Sequence, residues 1–186
     1  MIKFAYLLII GLLIWFLNYS LREQPVKELV VSQVLGTEQA PDYYSENLQM
    51  RQFNKQGKLQ SLIKTKRFSH YADQQFASLL EPEITLYQMD GNRNHITSQL
   101  GEIEDSSRDL TLTEKVQIVV SDNQNKQQMV INTSDLHYGV AEQILWTDSP
   151  VTAELLYGSF VSLGLQMDIN TQQMMLKDKV KVHYDL

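Results

Sequence analysis

Four histidines, His70, His95, His137 and His183, are the side chains in this 186-residue sequence best suited to proton transfer or metal binding. Their spacing supports neither. No two of them stand at the short helical or loop separation that sets a pair of imidazoles on one metal. Carboxylates are more numerous, with Glu81 near Glu83 and Glu102 near Glu104 and Asp105. These pairs sit in or beside segments that read as turns, where acidic side chains are ordinarily solvated. The absence of cysteine removes thiol catalysis, disulfides and Cys-zinc sites. No Gly-x-Ser-x-Gly elbow and no phosphate-binding glycine loop occurs. The histidines therefore read as solvated or edge-strand groups. The chain reads as a non-enzyme with no catalytic, metal or cofactor site.

Binding chemistry has more to work with. The tracts Met174-Met175-Leu176 and Leu155-Leu156-Tyr157 are apolar at adjacent positions. They suit either core packing or a groove for variable hydrocarbon, because methionine side chains adapt their shape. Between Asp42 and His70 lie Arg51, Lys55, Lys58, Lys64, Lys66 and Arg67, against only Asp42 and Glu46. That run is a solvated face or a contact for phosphates on a lipid or membrane surface. The net charge of −6 argues against a nucleic-acid partner, which needs a basic face.

Strands must position these groups. A core pattern recurs over residues 66–87, 98–119, 134–154 and 164–184. Each copy has a short half-apolar run, a polar stretch, an apolar run, a tight polar segment and an alternating strand. The polar segments are Glu81-Pro82-Glu83, Thr113-Glu114-Lys115, Asp148-Ser149-Pro150 and Lys177-Asp178-Lys179, and all four are expected to be turns. The strands that follow start at Ile84, Val116, Val151 and Val180, about 30 residues apart, which marks stacked similar units. Residues 44–53 and 58–64 alternate around Asn54-Lys55-Gln56-Gly57, whose glycine suits positive φ. Asp90-Gly91-Asn92, residues 121–126 and Asn170-Thr171-Gln172 are further turn clusters. Gly158 falls between apolar runs, where a glycine marks a bulge or a close backbone approach. The last strand, with Val180, Val182 and Tyr184, should present a free edge for a partner strand.

Residues 1–21 are apolar, with Lys3 the one charge and Trp15, Phe16 and Tyr19 near the far end. About 20 helical residues span a hydrocarbon core of roughly 30 Å. No small-residue cleavage site follows, so the segment is expected to be a retained transmembrane anchor. The expected organisation is an anchor over 1–21, a linker over 22–40 with a candidate short strand over 29–34, and a β-domain over 41–186. The fold class is all-β, a sandwich or open jelly roll with a continuous apolar strip inside.

Several stretches stand in a telling order: the apolar N-terminus, Pro41-Asp42-Tyr43-Tyr44-Ser45-Glu46, Phe53-Asn54-Lys55-Gln56-Gly57, Glu81-Pro82, the repeated Val strands, and Leu155-Leu156-Tyr157-Gly158 before Gly164-Leu165-Gln166-Met167. Together they resemble the LptC family, bitopic periplasmic components of the lipopolysaccharide export machinery. The soluble bridge protein LptA shares the repeat, but the expected anchor argues against it. The resemblance implies a twisted open β-jelly roll of stacked antiparallel strands after one transmembrane helix, with lipopolysaccharide acyl chains inside. It implies an anchor docked on the inner-membrane ABC transporter that drives extraction, first strands continuing from that transporter, and last strands continuing into LptA. It also implies lipid-facing positions at Leu48, Leu79, Met174 and Tyr184, and structural or docking glycines at Gly57 and Gly158.

The resulting expectation is a single-pass inner-membrane protein whose periplasmic domain receives lipopolysaccharide and passes it on for outer-membrane assembly. The alternative is a membrane-anchored periplasmic adaptor that joins partners through sheet edges and carries no lipid. A membrane-anchored hydrolase is disfavoured by the missing nucleophile–base motif.

Overall fold

Alternation of apolar and polar residues builds eleven antiparallel strands across residues 40–184, the part of the chain that the computed structural model describes. They are β1 (Tyr43–Phe53), β2 (Leu59–Tyr71), β3 (Phe76–Leu80), β4 (Glu83–Tyr87), β5 (Arg93–Thr97), β6 (Leu100–Glu104), β7 (Leu110–Ser121), β8 (Gln127–Gly139), β9 (Ile144–Leu155), β10 (Gly158–Asp168) and β11 (Met174–Tyr184). One turn of 3-10 helix, Ala72–Gln74, joins β2 to β3. The expected membrane helix over 1–21 and the candidate strand over 29–34 lie outside the described residues. Among the described residues no helix is long and apolar enough to cross a membrane.

Three of the four expected turns are corrected by the structure. β7 runs through Thr113-Glu114-Lys115, β9 through Asp148-Ser149-Pro150 and β11 through Lys177-Asp178-Lys179. These segments are bends inside long strands. Glu114, Lys115 and Lys179 take positive φ (62°, 54° and 50°), and the pairing register jumps from Thr113 to Val116. A bulge calls for the same polar, left-handed residues as a reversal, so local sequence does not separate the two. Only Glu81-Pro82 separates two strands, β3 and β4, with Glu81 at positive φ (47°).

The bends line up across the sheet. Asn47 in β1 (φ 53°), Glu81 (φ 47°), the Ser98-Gln99 step, Glu114, the Asp135 region of β8, Asp148, Gly164 (φ 83°) and Lys179 form one seam. The hydrogen-bond ladder crosses it: Glu81 N donates to Gln99 O at 2.8 Å and Gln99 N to Glu114 O at 2.9 Å. Buried hydroxyls take up carbonyls beside the seam. Thr65 Oγ1 donates to Leu80 O (2.7 Å), Ser98 Oγ to Leu100 O (2.8 Å) and Ser162 Oγ to Gly164 O (3.1 Å). The Asp135 carboxylate accepts from Ser134, Thr147 and Ser149 hydroxyls. Burial would raise its pKa, but those bonds outweigh it and hold Asp135 below the usual carboxylate range.

The seam divides the sheet into two layers with β1 at one edge of each and β11 at the other. In the first layer β2 pairs β3 and β6 pairs β7; in the second, β2 pairs β4 and β5 pairs β7. Their inner faces enclose one core, including Ile84, Leu86, Ile96, Ile118 and Ile131 from the second layer and Leu79, Ile103, Leu112, Leu145 and Leu165 from the first.

Candidate functional site

Residues directly opposite across a ladder share a face, so register converts the strands into rows of side chains. One row crosses the second layer from edge to edge: Met50, Ile63, Ile84, Ile96, Ile118, Ile131, Ala153, Phe160 and Val182. Every member is apolar. At about 4.8 Å per strand the row is roughly 38 Å long. The first layer carries a facing row of His70, Ala77, Ile103, Leu110, Tyr138, Leu145, Met167 and Met174.

Near β1 the two rows part around a cavity of about 170 Å³. Met50, Ile63, Ile84 and Leu86 line one side, and Ile103, Leu110, Tyr138 and Val140 the other. Arg51 and Arg108 lie at its margin. Tyr138 keeps its proton, because burial pushes its phenol up to about 12 with a smaller contribution from Asp109. At the opposite edge the row emerges uncovered: Val182 is 51% and Tyr184 74% exposed although both continue inward-facing rows. The interior is thus an apolar strip with a cavity at one end and an exposed continuation at the other.

The residues named from sequence are spread along this strip. Leu48 is half-buried on β1, opposite buried Thr65. Leu79 is fully buried in the first layer. Met174 closes the facing row and packs on the core, while Tyr184 ends β11 opposite Gly158. None of the four lines the cavity. Gly57 takes φ 76° in the β1–β2 turn, where its N–H donates to Asn54 O and Asn54 Oδ1 accepts from the N–H of Gln56 and Lys58. Gly158 follows the two-residue reversal Leu156-Tyr157, with φ 146°. That reversal puts Leu155, Leu156 and Tyr157 in solvent, so this tract is not core; Met174 and Leu176 do pack inward. Val180 and Val182 lie on the outer strand and are exposed.

Sequence reasoning missed the grouping around His70, whose side chain is only 14% exposed. It stacks on Tyr43 at 4.6 Å and reaches Asp42 Oδ2 at 2.8 Å and Asp105 Oδ2 at 2.9 Å. Both ring nitrogens must carry protons to donate both bonds. The pair of carboxylates, Asp105 foremost, raises the imidazole pKa above 6.5. The clasp ties the start of β1 and the end of β2 to the β6–β7 turn. No local signal links Asp105 to His70, 35 positions away.

A raised pKa means the folded state prefers imidazolium. The clasp's contribution is therefore complete below about pH 6.5 and is lost as pH climbs through the raised value. The difference in melting temperature between wild type and His70→Gln should be largest near pH 6 and shrink steadily toward pH 9. A difference independent of pH would show that His70 acts through packing alone.

Comparison with known proteins agrees with this architecture. A fold match is the crystal structure of LptH from Pseudomonas aeruginosa, described as the LptA homologous periplasmic component of the conserved lipopolysaccharide transport device. It aligns with TM-score 0.54 at 9% identity, over 68% of this chain and 95% of that one, and so shares the jelly-roll fold. No curated protein sequence matches this chain. The family model described as "Lipopolysaccharide-assembly, LptC-related" matches residues 6–185, essentially the whole chain, and the protein belongs to the LptC family.

Proposed function

We propose that this domain binds lipopolysaccharide acyl chains along its interior strip and relays them from an inner-membrane ABC transporter to the periplasmic bridge protein LptA. The observation that carries the reading is the nine-residue apolar row, which runs from edge strand β1 to edge strand β11 without a polar interruption. In this reading residues 1–21 anchor the protein in the inner membrane by a single span, with the β-domain in the periplasm. Leu48, Leu79, Met174 and Tyr184 belong to the lipid path. Gly57 shapes the β1–β2 turn, and Gly158 supports docking of the final strand. Val180, Val182 and Tyr184 form the edge that LptA would extend by β-augmentation. The protein performs no bond chemistry and needs no cofactor, so the transporter's ATP hydrolysis supplies the work.

A photoreactive residue placed at Met50 or Ile63, on the cavity wall, is expected to crosslink lipopolysaccharide in cells. The same residue at Lys64, exposed on the other face of β2, should not. Equal labelling at all three, or none at Met50 and Ile63, would leave an adaptor that carries no lipid.

A further inference from the structure

Asn94 is 1% exposed on β5, yet neither its side-chain oxygen nor its nitrogen has a hydrogen-bond partner. A buried amide without partners opposes folding, so such groups are ordinarily paired. Register shows what surrounds it. Asn94 lies opposite Leu86 on one side and Val120 on the other. Its row continues through Leu86 to Ser61 and Gln52, where Ser61 Oγ donates to Gln52 Oε1 at 3.4 Å. Gln52, Ser61 and Leu86 all line the cavity near β1. The interior of the second layer is therefore zoned: one row wholly apolar, and the row beside it polar at Gln52, Ser61 and Asn94.

We propose that Asn94 is a ligand-binding residue, reading a hydroxyl or amide carried near the head of an acyl chain whose hydrocarbon lies along the Met50–Ile63–Ile84–Ile96 row. An amide side chain offers one acceptor and two donors, which matches a ligand presenting both an O–H or N–H and a carbonyl. Leu86 forms the cavity wall and is also the cross-strand neighbour of Asn94, so a chain that extends the cavity by one strand reaches the amide. Plain hydrocarbon leaves Asn94 unpaired; a hydroxylated, amide-linked chain does not. The proposal rests on the reading of the interior as a lipid site and adds the chemical class that the site prefers.

The test uses the 186-residue chain and two synthetic glucosamine lipids that differ only in a 3-hydroxyl on the amide-linked acyl chain. Wild type is expected to bind the hydroxylated lipid about tenfold more tightly, the range of one added hydrogen bond. In Asn94→Leu, close in volume, that preference should fall below about twofold, while the ligand-free protein melts at a higher temperature because the unpaired amide is gone. Asn94→Val serves as a second variant with the same expected loss of preference. Equal binding of both lipids by wild type overturns this proposal alone. So does a variant that melts lower and keeps the preference, which would make Asn94 a structural group satisfied by an internal water. Binding of neither lipid by wild type overturns the lipid-site reading and this proposal together.

Discussion

Replacing Ile131 by aspartate is expected to leave the domain unfolded in native buffer. Ile131 is fully buried on β8, between Ile118 and Ala153 in the middle of the apolar row. An ionised carboxylate there has no partner, and an unpaired buried charge costs several kcal/mol on top of the roughly 1–3 kcal/mol of lost apolar burial. A domain of this size is stable by about 5–15 kcal/mol, so the sum removes most or all of it. Ile131→Val should cost only about 1 kcal/mol. Asn132→Asp, one residue along, is the control. Asn132 is exposed and its Oδ1 accepts from Gln117 Nε2 at 3.0 Å, a bond a carboxylate can also accept. Its effect should stay within about 0.5 kcal/mol. Urea unfolding followed by circular dichroism measures all three. A folded, cooperative Ile131→Asp domain would mean that the row is not closed core.

Substitution of Gly158 should detach the end of β11 and leave the rest of the fold standing. A Cβ on Gly158 would lie 2.2 Å from His183 O, a backbone atom that cannot swing aside. Its φ of 146° is also one that L-residues rarely adopt, at a cost on the order of 1–3 kcal/mol. Gly158 pairs with Tyr184 and Leu155, so the strain falls on the last ladder rungs of β10 and β11. The start of β11 is held separately by Met174, Met175 and Leu176 opposite Met167, Gln166 and Leu165. In Gly158→Arg the amides of residues 181–184 should lose about a hundredfold of their hydrogen-exchange protection or more. Amides of β7 and β8 should be unchanged. Under the proposed relay the same variant captures less LptA. Retained protection at 181–184 would show that the close approach is relieved by movement elsewhere.

The expected membrane helix over 1–21 and the candidate strand over 29–34 lie outside the described residues. Within residues 40–184 much was legible. Strands were readable at nearly every alternating segment, because a period of two at Ile84-Thr85-Leu86 or Val116-Gln117-Ile118 states which side chains share a face. The turns around Gly57, Asp90-Gly91, residues 122–126 and Asn170-Thr171 were readable because their polar residues hydrogen-bond their own backbone. Asp122 and Asp168 accept from N–H groups two to four residues on, which hold both carboxylates below the usual range.

Sequence by itself determined the strand content and which side chains of one strand share a face, since each depends on neighbours within a few residues. It did not separate a bend from a reversal at Glu114-Lys115, Ser149-Pro150 or Asp178-Lys179, because both draw on the same polar and proline residues, left-handed at Glu114, Lys115 and Lys179. Tertiary structure decided that these bends align into a seam and fold the sheet into two facing layers. It decided that Met50 and Ile63 meet Tyr138 and Val140 around a cavity, that Leu155-Leu156-Tyr157 points into solvent, and that His70 lies between Asp42 and Asp105. Those outcomes depend on register between strands far apart in the chain, where a shift of one residue would turn every inward side chain outward.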